Sequence, residues 1–174
     1  MNFDLQPTLQ GALLHLRPLL PSDFDALYAV ASDPLIWEQH PHFDRYKKEV
    51  FEKFFADALD SRGAFIVIDN KTKKIIGSSR FANLDEQKSE IEIGWTFLAR
   101  THWGGRYNRE MKRLMLAHAF QYVKTVIFLV GPKNMRSQRA LAKIGAQPAG
   151  SMTHPIRGEN LIFHITAPQQ TERR

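Results

Sequence analysis

A glycine pair followed by a basic helix start carries the clearest chemistry in this sequence. The segment WGGRYNRE, residues 103–110, lies between a predicted strand that ends near Leu98 and a predicted amphipathic helix. Glycines let the backbone approach a ligand, and the start of a helix offers unpaired N–H donors at the positive end of its dipole. Positive charge beside these donors comes from Arg106, Arg109, Lys112 and Arg113. The segment predicts a diphosphate site, with a simple strand-to-helix turn as the alternative for the glycines alone.

A second basic segment, NMRSQRALAKIG at residues 134–145, follows a predicted buried strand. Asn134 and Ser137 stand where a helix begins, and Asn134 is a candidate backbone anchor, although both residue types are also ordinary helix caps. Cations therefore concentrate at residues 100–113 and 133–143, flanking one predicted phosphate site. A nucleic-acid-binding domain would instead spread basic and aromatic residues across one face. The distribution favours a polyanionic small ligand.

Hydrophobic spacing predicts the elements that position these segments. The predicted strands are residues 12–18, 64–69, 74–81, 88–98, 125–131, 146–155 and 159–167, and the predicted helices are residues 22–31, 47–63, one from the glycine loop to about Val123, and one from Asn134 or Ser137 to Gly145. Alternation of Ile91, Ile93, Trp95 and Phe97 predicts one buried face for the fourth strand, and the fifth is predicted to be fully buried. The strand, glycine loop, helix and strand imply a parallel, right-handed crossover in a mixed sheet.

Composition limits the class of protein. The chain has 174 residues, 43% of them hydrophobic, and a formal net charge of +6, which predicts one domain with an anionic partner and with flexible ends at about residues 1–10 and 168–174. It has no cysteine, which excludes disulfides, thiolate metal sites and a cysteine nucleophile. No signal peptide or long apolar run is visible, so we expect a cytoplasmic protein without membrane contact. The histidines show no ligand spacing, so we expect no metal.

The two motifs in this order resemble those of the GNAT N-acetyltransferase superfamily, whose glycine loop follows the fourth strand and whose Asn-x-x-Ser and Lys-x-Gly motif follows the fifth. The resemblance spans roughly residues 13–165. The leading strand, the proline-rich first loop and the tryptophan-glycine loop look most like the branch of ribosomal-protein N-terminal acetyltransferases. The resemblance implies an α+β fold: a central twisted mixed sheet of about six or seven strands, splayed parallel fourth and fifth strands, and about four flanking helices.

The resemblance also implies a function, which is direct transfer of the acetyl group of acetyl-CoA to a primary amine in a ternary complex. The acceptor would be a protein N-terminus or a small-molecule amine. The backbone at Phe97 and Leu98 would pair with the pantetheine arm, and amides of residues 104–108 would hold the diphosphate. The implied cofactor-binding residues are Phe97, Leu98, Trp103, Gly104, Gly105, Arg106, Tyr107, Asn108, Asn134, Ser137 and Lys143. Arg106 departs from the family motif, which has a small residue there.

The general acid, the general base and the acceptor pocket are less directly implied by the resemblance than the cofactor-binding residues. Many family members carry a tyrosine as general acid where this chain has Leu141, so protonation of the leaving thiolate falls to Ser137, to Tyr107, to a water, or to no group. Ser137 is our choice among them. Glu92 is the candidate base because an ammonium must lose a proton before it attacks, although a solvated strand glutamate is the alternative. Trp37, His40 and Phe43 are candidates for the acceptor pocket, with an aromatic anchor for the loop as the alternative.

Two other functions stay open at this stage. The chain could keep this fold and bind acyl-CoA as a regulator without catalysis, since the usual tyrosine is absent. A basic nucleic-acid-binding domain fits the net charge but not its distribution. The residues leave open the acceptor amine and the oligomeric state, for which a homodimer is one arrangement.

Overall fold

A computed structural model describes residues 2–168, and its eight strands form one sheet in the order β1-β2-β3-β4-β5-β6-β8-β7. The strands are β1 (Leu9–Gln10), β2 (Leu14–Pro18), β3 (Ala64–Asp69), β4 (Ile75–Asp85), β5 (Glu90–Leu98), β6 (Thr125–Val130), β7 (Gln147–His154) and β8 (Gly158–Thr166). The α-helices are α1 (Phe24–Ala31), α2 (Lys48–Ser61), α3 (Arg106–Ala119) and α4 (Met135–Lys143). The predicted α+β fold with a mixed sheet is confirmed.

The helices cover the two faces of the sheet in pairs. Leu27 of α1 and Phe51 of α2 belong to one apolar cluster with Ile66 of β3 and Phe97 of β5. Met111 and Met115 of α3 and Leu141 of α4 belong to the other, with strand residues such as Phe65 and Ile91. Neighbouring residues of β3 therefore supply both clusters, as expected for a strand covered on both faces. A site between the strands of such a sheet can be reached by residues from both layers.

The sheet has one strand more than the seven that we predicted. The additional strand, β1, pairs antiparallel with β2. Because β1 has only two residues, hydrophobic periodicity could not reveal it. Phe3 lies before it, 5.4 Å from Phe81 between ring centroids. The flexibility expected for residues 1–10 stays a prediction, and most of the predicted flexible C-terminal end, residues 169–174, lies outside the described part of the chain.

The prediction that Gly63 ends the second helix needs a correction. Helix α2 ends at Ser61, and its left-handed cap is Arg62, with φ 50°. Gly63 is required for a different reason, since a Cβ at this position would collide with the carbonyl of Phe81 on β4. The glycine therefore allows close packing of two strands.

Strands β5 and β6 run parallel but pair only at their first residues. The register joins Glu90 to Thr125, Ile91 to Val126 and Glu92 to Ile127. Beyond these pairs the strands separate, although β5 continues to Leu98 and β6 to Val130. The prediction of a fully buried fifth strand is wrong, because Val126, Phe128 and Val130 are buried but the residues between them are only half-buried. The separation leaves backbone hydrogen-bonding groups of both strands facing a gap.

A bulge in β5 overturns the predicted alternation of Ile91, Ile93, Trp95 and Phe97. Opposite β4, Arg80 pairs with Gly94 and Ser78 pairs with Phe97, so β5 has one residue more than its partner, and Trp95 takes φ 53°. An extra residue reverses which face the following side chains occupy. Ile91 and Ile93 accordingly pack towards α3 and α4, whereas Trp95 and Phe97 pack towards α1 and α2.

Candidate functional site

A cavity of about 650 Å³ lies where β5 and β6 separate. Its lining comes from the ends of both strands, the loop before α3, the first two turns of α3, one side of α4, the loop between α1 and α2, and Arg157 and Asn160. Five arginines and two lysines line it, and within residues 2–168 Glu92 is the one carboxylate that does. The cavity is therefore strongly positive, as a polyanionic ligand requires.

The glycine loop forms one end of this cavity. Gly104 and Gly105 both line it, with φ values of 107° and 101° that only glycine adopts without strain. No atom lies within 4 Å of the position that a Cβ would occupy at either residue. Gly105 is also the N-cap of α3, so the free N–H groups of the first helical turn begin there. Asn108 and Arg109, one turn on, line the same end.

Helix α4 faces this loop from across the gap. The Asn134 side chain accepts a hydrogen bond from the Ser137 amide at 3.2 Å and so caps the helix, while Ser137 and Lys143 line the cavity. The guanidinium carbon of Arg136 lies 4.0 Å from the ring centroid of Trp103. The Trp103 indole donates to the Leu98 carbonyl at 2.9 Å, which fixes the loop against the end of β5. Both predicted motifs therefore lie at one end of one cavity.

Two predicted cofactor residues point elsewhere. Arg106 and Tyr107 are absent from the cavity lining within the described chain. The Tyr107 hydroxyl donates to Asp69 at 3.3 Å, and its ring lies 4.7 Å from the His102 ring. Burial and the Asp69 carboxylate raise the pKa of the Tyr107 phenol above its ordinary value. These contacts argue against Tyr107 as a proton donor in the cavity, although the amide of this residue still belongs to the first turn of α3.

Lys112 also lines the cavity, and it was not predicted as a candidate for catalysis. It is only 4% exposed, and its Nζ donates to Thr96 Oγ1 at 2.7 Å, next to the β5 bulge. Burial lowers the pKa of this ammonium to about 7. Sequence spacing did contain a signal, because Lys112 shares the inner face of α3 with Met115 and Ala119, three and seven residues on. This lysine can hold or release a proton near neutral pH.

Glu92 lies in the cavity but is not the solvated glutamate that we considered as the alternative. It is 2% exposed, its Oε1 accepts from Arg157 at 2.9 Å, and its Oε2 accepts from Asn83 at 2.6 Å. The ion pair joins β5 to the turn before β8. Because these elements are distant in sequence, residue spacing could not predict the pair. Each carboxylate oxygen keeps a second lone pair, so these contacts leave Glu92 able to accept a proton.

The predicted acceptor residues divide into two groups. Trp37 and His40 line the cavity, whereas Phe43 is 65% exposed and does not line it. Trp37 also anchors the loop, as its indole donates to the Ala31 carbonyl at 2.8 Å and its ring lies 5.0 Å from the Phe97 ring. Burial, followed by the nearby Arg45, lowers the pKa of His40 to about 3, so its imidazole is neutral at physiological pH.

Within residues 2–168, no three side chains of the His, Asp and Glu types come together as a metal site would require. Over the same residues, none of the helices combines the length and the apolar character needed to cross a bilayer.

Comparison with known proteins gives a consistent result. A family model described as Acetyltransferase (GNAT) domain matches residues 14–147. No curated protein matches the chain in sequence. Similar solved structures include a GCN5-related N-acetyltransferase from Brucella melitensis, with 21% identity, a TM-score of 0.77, and coverage of 92% of this chain and 79% of that one.

Two further solved structures extend this likeness. A GNAT-family acetyltransferase from Bacillus anthracis has 19% identity and a TM-score of 0.75, covering 92% of this chain and 98% of that one. RimJ from Mycobacterium smegmatis, solved in complex with CoA-disulfide, has 18% identity and a TM-score of 0.71, covering 96% of this chain and 89% of that one. At such identities these structures show a shared fold.

Proposed function

Since this chain belongs to the GNAT acetyltransferase family, as its two motifs predicted, we propose that it transfers the acetyl group of acetyl-CoA directly to a primary amine held in the same cavity. The observation that carries the proposal is the gap between β5 and β6, which is lined by a glycine loop, a cluster of cations and an aromatic loop. One continuous cavity would hold both reactants in a ternary complex.

The residues at the glycine-loop end fit the diphosphate of coenzyme A. Free N–H groups of the first turn of α3 and the cations Arg109, Arg139 and Lys143 meet the needs of a multiply charged anion. Asn134 and Ser137, at the start of α4, bring a second helix N-terminus to the same end. Arg106 and Tyr107 would contribute through their backbone, since their side chains lie outside the lining.

The separated strand edges fit an extended amide-containing arm. Residues 93–98 of β5 have no partner on the side of β6, so their free N–H and C=O groups can pair with a ligand much as they would with another strand. Phe97 and Leu98 line this stretch, although the Leu98 carbonyl already accepts the Trp103 indole. When bound, acetyl-CoA would supply an activated acetyl thioester.

Glu92 and Lys112 are the groups that would move protons. Glu92 would accept the proton of the incoming ammonium, because it lines the cavity on the face that carries the acceptor loop. Lys112, with a pKa of about 7, would release a proton inside the cavity, a role that we had assigned to Ser137. Ser137 stays a candidate because it also lines the cavity. Backbone donors at the bulge would polarise the acyl oxygen.

The test measures thiol release from acetyl-CoA against a panel of small amines and N-terminal peptides. We expect turnover with at least one amine, and no turnover in Gly104→Trp, whose side chain would fill the glycine-loop end. Calorimetry with coenzyme A measures the binding step separately. Absence of both heat and thermal stabilisation at millimolar coenzyme A would overturn the proposal.

The same data separate the competing functions. An acyl-CoA-binding regulator, which the buried Leu141 at the usual tyrosine position would allow, would bind coenzyme A without turnover for any amine. A nucleic-acid-binding domain would bind oligonucleotides with an affinity that depends strongly on salt, and it would not bind coenzyme A. Loss of turnover in Gly104→Trp but not in Glu92→Gln would remove Glu92 as the base.

A further inference from the structure

Three arginines from distant parts of the chain lie close together, and two of them, Arg45 and Arg157, line the cavity. Arg45 follows the Trp37 loop, Arg80 lies on β4 beside the bulge, and Arg157 precedes β8. Their guanidinium carbons lie over three aromatic rings. The carbon of Arg45 is 5.5 Å from the ring centroid of Trp37 and 4.8 Å from that of Phe54. The carbon of Arg80 is 5.7 Å from the Phe54 centroid and 4.4 Å from the Trp95 centroid, and that of Arg157 is 4.2 Å from the Trp95 centroid. The group forms a single basic and aromatic wall, here called the arginine wall.

The charges of the arginine wall are poorly compensated. Glu92 pairs with Arg157, but within residues 2–168 neither Arg45 nor Arg80 forms an ion pair with a carboxylate. Asp44 acts on Arg45, and Asp57 and Glu92 act on Arg80, through space only. The side-chain hydrogen bond of Arg45 goes to His40 at 3.4 Å, and that imidazole is neutral. Two guanidinium groups therefore lie close together without a counter-ion of their own.

Arg80 shows this deficit most directly. It is 6% exposed, and its Nε and Nη2 are buried without a hydrogen-bond partner in the described chain. Burial lowers the pKa of Arg80 to about 10. Burial, followed by the nearby charge of Arg80, lowers the pKa of Arg45 to about 10 as well. Both guanidinium groups therefore stay charged at neutral pH. Buried cations are usually matched by an anion, because an unpaired charge in the interior is costly. An anionic ligand beside Arg80 and Arg45 would lower this cost.

We infer that the arginine wall selects acceptor amines that carry a carboxylate. Arg45 and Arg157 line the cavity and would contact the carboxylate, while Arg80, held against Trp95, adds to the positive potential. The inference rests on the proposed function, because it concerns the acceptor side of that reaction. Glu92 lies beside the same wall, so a carboxylate held by Arg45 would place the amine of the same molecule near the proposed base.

The alternative that these arginines belong to the coenzyme A site is disfavoured by their location. The arginine wall packs against Trp37 and against Phe54 of α2, on the face reached by Trp95 and Phe97. The cations at the glycine-loop end come from α3 and α4, which cover the opposite face. The two basic clusters therefore serve two ligands.

The experiment compares acceptors that differ only in a carboxylate or a carboxamide. One arm uses alanine against alaninamide, and a second uses the peptide Ala-Asp-Ala-amide against Ala-Asn-Ala-amide. Rates are expressed per free amine, because amidation lowers the pKa of the neighbouring amine. We expect kcat/KM to favour the carboxylate by about tenfold or more in at least one arm. The arm that shows the preference identifies a free amino acid or a peptide as the source of the carboxylate.

Variants assign the preference to the arginine wall. Arg45→Gln should lower the carboxylate-to-carboxamide ratio about tenfold, and Arg45→Lys should retain most of it, which controls for loss of packing against Phe54. The matched control is Arg139→Gln, a cavity arginine at the coenzyme A end. It should weaken coenzyme A binding and leave the ratio unchanged.

Binding of the same acceptor pairs, measured by calorimetry with and without saturating coenzyme A, gives a readout that does not depend on turnover. Tighter binding of the carboxylate without acetylation would retain the inference and overturn the proposed function. Equal use of carboxylate and carboxamide in both arms, with normal acetyl transfer, would overturn the inference alone. A ratio that survives Arg45→Gln would also overturn it.

Discussion

Lys112 and Glu92 show how burial changes the chemistry of a single residue. Sequence patterns do not show that either residue is buried, yet Lys112 and Glu92 are 4% and 2% exposed in the folded chain. Lys112 is held by a hydroxyl and has no ion pair among the described residues, whereas Glu92 is matched by Arg157. Burial therefore lowers the pKa of the unpaired Lys112 ammonium.

We expect Lys112→Met to raise the free energy of unfolding by about 2 kcal/mol near pH 7, because it removes a buried amine without a counter-ion. In the unfolded chain this amine has its ordinary pKa of 10.5, and in the folded chain the pKa is about 7. The unfolded state therefore binds the extra proton between these values, and wild-type stability falls as the pH is lowered through this window. Urea unfolding should show a larger difference between variant and wild type near pH 7 than near pH 10.

The matched control for this variant is Lys143→Met, at an exposed cavity position. It should change the free energy of unfolding by less than about 0.5 kcal/mol. In turnover, Lys112→Met should also remove a titration near pH 7 from the pH profile of kcat. The lowered pKa of Lys112 would be contradicted if Lys112→Met left the pH profile of kcat unchanged and if its difference in free energy of unfolding from wild type did not depend on pH.

We expect Glu92→Gln to lower the free energy of unfolding by about 2 kcal/mol, since it leaves Arg157 without its carboxylate. A double-mutant cycle with Arg157→Gln should give a coupling of about 1–3 kcal/mol by urea unfolding. The Asp85–Lys88 pair, whose side chains are 35% and 70% exposed, is a suitable reference. Its cycle should give less than about 0.5 kcal/mol, and equal couplings for the two pairs would show that burial does not strengthen the Glu92 pair.

The element that places these groups is the β5 strand with its bulge and its early separation from β6. Without the extra residue at Trp95, the side chains of Trp95 and Phe97 would lie on the same face as Ile91 and Ile93. Trp95 could not then form the arginine wall, and Phe97 could not pack against Trp37. A local irregularity thus determines which helix layer faces each part of the site.

We expect Gly105→Ala to lower the free energy of unfolding by about 1 kcal/mol and to weaken coenzyme A binding about tenfold. Both effects come from forcing a side chain onto a backbone with φ 101° at the N-cap of α3, which would shift the amides of the first turn. Thermal unfolding and calorimetry with coenzyme A measure the two effects.

Gly150→Ala is the control for strain alone, because Gly150 has φ 109°, has equally open space around its Cβ position, and lies on β7 away from the cavity. It should lose similar stability and keep its affinity for coenzyme A. Equal loss of affinity in both variants would mean that the glycine loop has no direct role in binding.

Across the whole molecule, α3 is tied to the first strands by one carboxylate. Glu110 Oε2 accepts from the amides of Leu13 and Leu14 at 2.7 and 3.0 Å, and its Oε1 accepts from Ala12 at 3.1 Å. This contact joins residues almost 100 positions apart and holds the far edge of the sheet to the helix that begins at the glycine loop. The position of the loop therefore depends on contacts on the other side of the helix.

We expect Glu110→Ala to lower the free energy of unfolding by about 2–3 kcal/mol, because three backbone N–H groups lose a charged acceptor. Denaturant unfolding measures the loss, and Glu86→Ala, in an exposed turn, is the control with an expected change below about 0.5 kcal/mol. A similar effect in both variants would show that the Glu110 contacts do not stabilise the fold.

Local patterns were sufficient to predict the four α-helices and seven of the eight strands of the described chain, their order and the family. The strands and helices follow from hydrophobic periodicity, and the glycine loop and the Asn134 helix start are each contained in about ten consecutive residues. Because the backbone of such segments would hold the diphosphate in the proposed reaction, this part of the cavity was predictable without knowledge of distant contacts.

The proposed acceptor site depends on contacts that no local pattern contains. Arg45, Arg80 and Arg157 come from three elements, the Glu92 partner lies 65 positions away, and the bulge reverses the faces of β5 within a run that reads as regular alternation. Burial of Lys112 likewise depends on the strands beneath α3. Charge compensation and burial are properties of groups brought together by folding, so the chemistry that they produce was accessible only from the three-dimensional arrangement.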